Sequence, residues 1–187
     1  MNKESLKLDY DKAYKEGLKL LDSKKYYDHK TGLFILIGIQ TGLRSIDILN
    51  LNKDKIEFKD NGAVINYTAQ KTNKKGQAFV DGRISEAIKQ TANNKVFYNE
   101  QMNVPFSHTW INRRIKSVFP KEYNNALKQG LTIGVHSLRK TAGSYIYKNY
   151  GVETAREILQ HSGYAVTKTY LRETKQEHLN KLQSLFA

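Results

Sequence analysis

His136 and Arg139 stand three positions apart in His136-Ser-Leu-Arg139, and Tyr170 follows thirty-one residues after that arginine. On a helix, positions i and i+3 share a face with about 5–6 Å between their Cβ atoms, so His136 and Arg139 would point the same way. His161 lies nine residues before Tyr170, in Leu159-Gln-His-Ser-Gly-Tyr-Ala-Val-Thr-Lys-Thr-Tyr-Leu171, a polar His-Ser-Gly turn between two short helical runs. Upstream, Thr41-Gly-Leu-Arg44-Ser-Ile-Asp47 places a second arginine at a turn entering a helix. Two arginines, two histidines and a tyrosine suit the handling of one phosphate. Arginine binds two oxygens at once with its planar fork and stays protonated. A phenol has a pKa near 10 and attacks at neutral pH only beside a cationic field or a base. Taken singly, each piece has a plainer reading. A helical His-x-x-Arg in a basic protein is ordinarily a solvated face, and Arg44 alone could be snorkelling from a core edge.

The elements that must position these residues are mostly helical. Residues 9–21 carry Tyr10, Ala13, Tyr14, Leu18 and Leu21 on one side, and the apolar run 34–39 predicts a central buried helix. Thr41-Gly42 marks its end, and Ser45 is expected to cap a helix over 46–51. From Lys55 to Val80 the pattern changes. Ile56-Glu-Phe58, Val64-Ile-Asn-Tyr67 and Ala78-Phe-Val80 read as strands separated by Asp60-Asn-Gly62 and Lys71-Thr-Asn-Lys-Lys-Gly76. Helices are expected again over 86–91 with Ser85 as cap, over 109–119, and over 121–129 closed by Gly130. A further helix over 135–150 stops at Gly151, and two more are expected over 152–159 and 173–186. The fold class is therefore mainly α with a small three-stranded antiparallel β-sheet.

Composition bounds the function. The 187 residues suit one domain with a real core. Lys and Arg number 31 against 18 Asp and Glu, a net charge of +13 spread along the chain, and a folded basic domain calls for a polyanion, nucleic acid first. The absence of cysteine excludes a disulfide scaffold and any thiolate metal site. No apolar run approaches the length of a membrane span, and the first residues lack the apolar core of a signal peptide. The cytoplasm is the expected compartment.

Thr-Gly-Leu-Arg44, a hairpin lysine, His136-x-Leu-Arg139, and Leu-x-His161-Ser nine residues before Tyr170 together resemble the catalytic domain of the tyrosine recombinases, the phage integrase family. The resemblance covers roughly residues 28–186. It implies a site-specific recombinase that cuts and rejoins double-stranded DNA through a 3′-phosphotyrosyl intermediate, with no metal, ATP or other cofactor. In this scheme Tyr170 is the nucleophile, and Arg44 and Arg139 clamp the phosphate beside His136 and His161. Lys71 protonates the leaving 5′ oxygen, although the same loop also offers Lys74 and Lys75. Asp47 matches the family's acidic position one turn after the arginine and is assigned a supporting role, orienting basic groups. Arg113, Arg114 and Lys116, with Lys74 and Lys75, are expected to contact the DNA backbone, which positions without specifying sequence.

Gln160 departs from the family pattern by standing where glycine is most common, and Gly163-Tyr164 replaces a small polar pair. Members typically carry an N-terminal helical domain that clamps the other face of the DNA. Fewer than 30 residues precede the match, so residues 1–187 are read as a single catalytic domain without that clamp. Leu179, Leu182, Leu185 and Phe186 form an apolar stripe at the C-terminus. By resemblance the stripe docks on a neighbouring protomer of a tetramer on DNA, and packing on its own core is the alternative. Two other functions share the residues: DNA relaxation like that of a type IB topoisomerase, and DNA binding without catalysis.

Overall fold

The computed structural model describes residues 3–160. His161, Tyr170 and the expected helix over 173–186 with its apolar stripe lie outside the described residues. The first helix, α1 (Tyr10–Leu21), starts where the Asp9 side chain accepts the Lys12 N–H at 2.8 Å, a cap worth about 1 kcal/mol. The helix expected over 34–39 is longer, α2 (Tyr26–Thr41). Its apolar stretch is buried on every side, as in the middle of a core. At Gly32 the backbone of α1 comes so close that a Cβ would lie 2.4 Å from Leu21 N and 2.6 Å from Gly17 O, so only glycine fits this crossing. One lysine is carried into this core. Lys30 donates to Val96 O at 3.0 Å and lies over the Tyr26 ring, and burial holds its pKa below the usual lysine range.

α2 ends in the left-handed conformation at Gly42 (φ 64°), whose N–H returns to Gly38 O at 3.1 Å. The short α3 (Ser45–Leu49) follows with Arg44 in the capping position. Ser45 is thus the first helical residue and not the expected cap, because the extended backbone at Arg44 (φ −68°, ψ 147°) already makes the turn.

Three antiparallel strands then pair in sequence order: β1 (Ile56–Lys59), β2 (Gly62–Thr68) and β3 (Lys75–Asp81). Ile65 faces Ala78, Tyr67 faces Gly76, and Thr68 faces Lys75. β3 runs without a loop into α4 (Gly82–Lys89), and Asp81 supplies the cap by accepting the Ile84 N–H at 3.0 Å. Ser85, the expected cap, is instead buried inside the helix and donates to Gly62 O at 3.1 Å, fastening α4 to the sheet. A two-stranded ladder, β4 (Tyr98–Asn99) with β5 (Val104–Pro105), was not foreseen; two residues per strand leave no periodicity to read.

Ser107 caps α5 (His108–Val118) through Trp110 N at 3.1 Å, and Pro120 opens α6 (Pro120–Lys128). The last described helix, α7 (Val135–Ile158), breaks at Gly151 (φ 84°), the position at which the sequence predicts one helix to stop and another to begin. The N-terminal segment is laced to it and to the stretch just before it. Leu6 N donates to Thr132 O at 2.8 Å, Leu8 N donates to the Thr141 hydroxyl at 2.9 Å, and Lys140 pairs with Glu4 at 2.9 Å.

Candidate active site

Arg44 sits half-buried on a corner fixed from below. The Thr41 hydroxyl donates to Ile37 O at 2.7 Å and accepts the Leu43 N–H at 3.2 Å, and Arg44 O accepts Ile48 N at 3.0 Å. Arg139 approaches the same corner from α7 and is only 5% exposed. Its guanidinium donates to Gly42 O through one terminal nitrogen and to Leu159 O through the other. One side chain thus ties the Arg44 corner to the far end of α7, the residue two before His161. Arg44 and Arg139 thus stand at one corner, and part of Arg139's donor fork is spent on the protein itself.

His136, the second residue of α7, keeps contact with solvent. The protein crowding the rest of its ring lowers its pKa, and His108, Arg139, Lys140 and Lys71 nearby lower it further. The start of α7 is anchored by Asn112, whose side chain accepts Val135 N at 3.1 Å, and by Ser137, whose hydroxyl accepts Gly134 N at 3.1 Å. His108 lies with its ring centre 6.5 Å from that of His136. Neither Asn112 nor His108 was legible as part of the site. Each is more than twenty residues from His136 in sequence, and only the packing of α5 on α7 brings them there.

Lys71 stands exposed in the turn between β2 and β3. The turn is closed by Asn73 N and Thr72 N donating to Ala69 O at 2.8 and 3.1 Å, and by Ala69 N donating to Lys74 O at 2.9 Å. The hairpin brings Lys71 near enough to His136 to act on its charge. Asp47 supports the hairpin from beneath: its carboxylate, 6% exposed, accepts the Gln70 N–H at 3.0 Å, one residue before the lysine. Asp47 thus holds the backbone of the loop that bears Lys71. Asp47 Oδ2 is buried with no hydrogen-bond partner among the described residues.

Tyr67, also not foreseen, is half-buried in the same neighbourhood. Burial raises its pKa, Arg139 and Arg44 oppose the rise, and its hydroxyl lies beside the Gln160 amide over Gly76. Arg44, Lys71, His136 and Arg139 therefore gather where the α2–α3 corner, the β2–β3 hairpin and both ends of α7 meet. The expected backbone contacts divide. Arg113, Lys74 and Lys75 are exposed, and Lys116 lies with its ammonium 5.1 Å from the centre of the Tyr123 ring. Arg114 departs from the expected exposed face: it pairs with Asp28 and donates to the Thr31 hydroxyl at 3.2 Å, bracing α5 against α2.

The same architecture is found in solved recombinases. XerH, in a pre-cleavage complex with its difH substrate, superposes with a TM-score of 0.71 at 18% identity, covering 99% of this chain and 55% of that one. XerA superposes at 0.73 with 19% identity, covering 98% and 65%. A lambda integrase dimer bound to a COC′ core site gives 0.66 at 15% identity, covering 93% and 63%. This chain thus spans a little over half to two thirds of those proteins. No curated protein matches the sequence. Among the described residues no helix is long and apolar enough to cross a membrane. The model of the phage integrase family matches residues 13–177, beginning earlier than position 28 and taking in nearly all of the chain. With the corner, the hairpin and α7 arranged as they are, the chain belongs to the phage integrase family, the tyrosine recombinases.

Proposed function

We propose that this chain is the catalytic part of a site-specific DNA recombinase acting on double-stranded DNA in the cytoplasm. The observation that carries the reading is the convergence of Arg44, Arg139, His136 and the Lys71 hairpin on one basic corner, in a chain of the integrase family. A phosphodiester in its transition state spreads negative charge over the non-bridging oxygens, so catalysis is mainly positioning and electrostatic stabilisation. Arg44 and Arg139 meet those oxygens. Tyr170 attacks phosphorus, giving its phenolic proton to His136, whose lowered pKa keeps it neutral and able to accept. The bond from phosphorus to the 5′ oxygen breaks, Lys71 protonates that oxygen, and a 3′-phosphotyrosyl bond remains. His161 adds a hydrogen bond to the phosphate. Attack by the 5′-hydroxyl of another strand reverses the step and completes the exchange. Arg113, Lys74 and Lys75 hold the flanking backbone.

Four protomers on two duplexes complete the reaction, each passing its C-terminal stripe to the next. A groove of about 440 Å³ between α1, β3 and α7 supports this reading, since Phe79 and Tyr150 are more than half exposed there beside Tyr10, Tyr145 and Ile158. The test is covalent trapping on a nicked suicide substrate. The native chain leaves DNA attached to protein after boiling in detergent, and Tyr170→Phe, which loses only a hydroxyl, binds DNA but leaves none. An adduct on the Phe variant would give the nucleophile's role to another residue, Tyr164 first.

A further inference from the structure

The structure assigns Gln160 as a positioning residue, one whose side chain latches the last turn of α7 to the β2–β3 hairpin and so sets where Lys71 stands relative to Arg139. Gln160 has φ 49°, a left-handed backbone that glycine adopts freely and a glutamine does not. A strained residue persists where its side chain is held by something else. Here the holding group is the hairpin. The Gln160 amide nitrogen reaches Lys75 O, the first residue of β3, at 3.4 Å, and the same amide converges with the Tyr67 hydroxyl of β2 over Gly76.

Gly76 makes room for both partners. A Cβ there would lie 2.5 Å from the Gln160 amide nitrogen and 2.8 Å from the Tyr67 hydroxyl, so any larger residue would wedge the latch open. On the other side, Leu159 O is held by Arg139. The path from the buried arginine to the hairpin is therefore short: Arg139, Leu159, Gln160, then Tyr67 and Lys75. The turn bearing Lys71 closes on Ala69 and Lys74, the residues that follow and precede the two latched strand ends. With Asp47 beneath Gln70, Gln160 gives the hairpin its second attachment to the arginine corner. Gln160 is thereby a positioning residue that acts through the hairpin.

The catalytic consequence rests on Lys71 being the general acid, so the test separates the latch from that reading. Gln160→Gly removes the amide and the strain together, and Tyr67→Phe breaks the contact from the hairpin side with the backbone at 160 untouched. Hydrogen–deuterium exchange at residues 69–76 reads the latch without any catalysis. Exchange should quicken in both variants while the melting temperature of Gln160→Gly stays level or rises. On a suicide substrate, cleavage by Gln160→Gly should fall roughly 10- to 100-fold, as for a misplaced catalytic group. A substrate with sulfur at the bridging 5′ position needs no general acid and should restore it. Unchanged exchange at 69–76 overturns the latch, whether or not the native chain cuts DNA. Quickened exchange with undiminished cleavage, or equal loss on the oxygen and sulfur substrates, overturns the role in placing Lys71. Failure of the native chain to cleave at all counts against the proposed function, and the exchange data still decide the latch.

Discussion

Arg139 is buried and bonded to carbonyls at two separate places in the chain, whereas Lys71 stands in the open at the tip of a hairpin, tied down only through its neighbours. In the proposed mechanism both are cations serving the same phosphate. The difference follows from their tasks. A phosphate clamp gains by being rigid before DNA arrives, because fixed donors cost no reorganisation during reaction. A general acid must reach an oxygen that becomes basic only as the bond breaks, and a proton donor on an arm can be brought up when the DNA is seated. On the proposed mechanism the clamp is part of the fold, and the acid is attached to it.

The largest effect should come from breaking the clamp. Arg139→Ala leaves the carbonyls of Gly42 and Leu159 without their donors, at about 1–3 kcal/mol each. A loss of about 2–5 kcal/mol in urea unfolding, with no detectable cleavage, is expected, and Arg139→Lys should recover only part because a single ammonium cannot span both sites. A variant that melts like the native chain and loses only activity would mean that the arginine is not a strut. Lys71→Ala should show the opposite profile. Its stability should stay within about 0.5 kcal/mol, as at exposed positions, while cleavage drops roughly 10²–10⁴-fold and returns on the sulfur-bridged substrate.

Asp47 lies between these extremes. Asp47→Asn keeps an oxygen for Gln70 N–H and should cut several times more slowly at most, whereas Asp47→Ala loses the anchor and should cost about 1 kcal/mol. Equal behaviour of the two would point to the charge and not to the hydrogen bond. The smallest effect concerns His108. His136 is held neutral to lower pH than a free imidazole, first by the protein crowding it and next by His108. If cleavage needs neutral His136, its acid limb lies below the ordinary imidazole range, and His108→Gln should move that limb to higher pH. A limb that stays in place in this variant would detach His108 from the site.

The same contrast explains what could be read in advance. The three strands, the central helix and the Gly42 corner were legible because turn glycines, β-branched runs and apolar runs are local signals. Arg44, His136, Arg139 and Lys71 were legible by type and spacing. The caps at Arg44 and Asp81 were missed because serine is the usual helix starter, while in both places the preceding segment had already aimed the backbone. Arg114 resembled its exposed neighbour Arg113 until α2 placed Asp28 beside it. Tyr67, Asn112 and His108 belong to the site through packing across long stretches of sequence, which leaves no mark on a local pattern. Gln160 was noted only as a departure, and its meaning depends on a hairpin eighty-five residues earlier.

The lacing of the first residues onto α7 also bears on when such a protein becomes able to act. Leu8 waits for Thr141, 133 residues later. At about 5–20 residues per second of synthesis, that delay is on the order of ten seconds. The Gly42 carbonyl waits 97 residues for Arg139, which in turn waits 20 more for the carbonyl of Leu159. Contacts this distant in sequence form late in folding, so the arginine corner closes only when nearly the whole described chain has left the ribosome. A basic nascent chain passing close to nucleic acid would thus carry its positive charge for most of its synthesis without a finished site, and its capacity to act on a phosphodiester would come last.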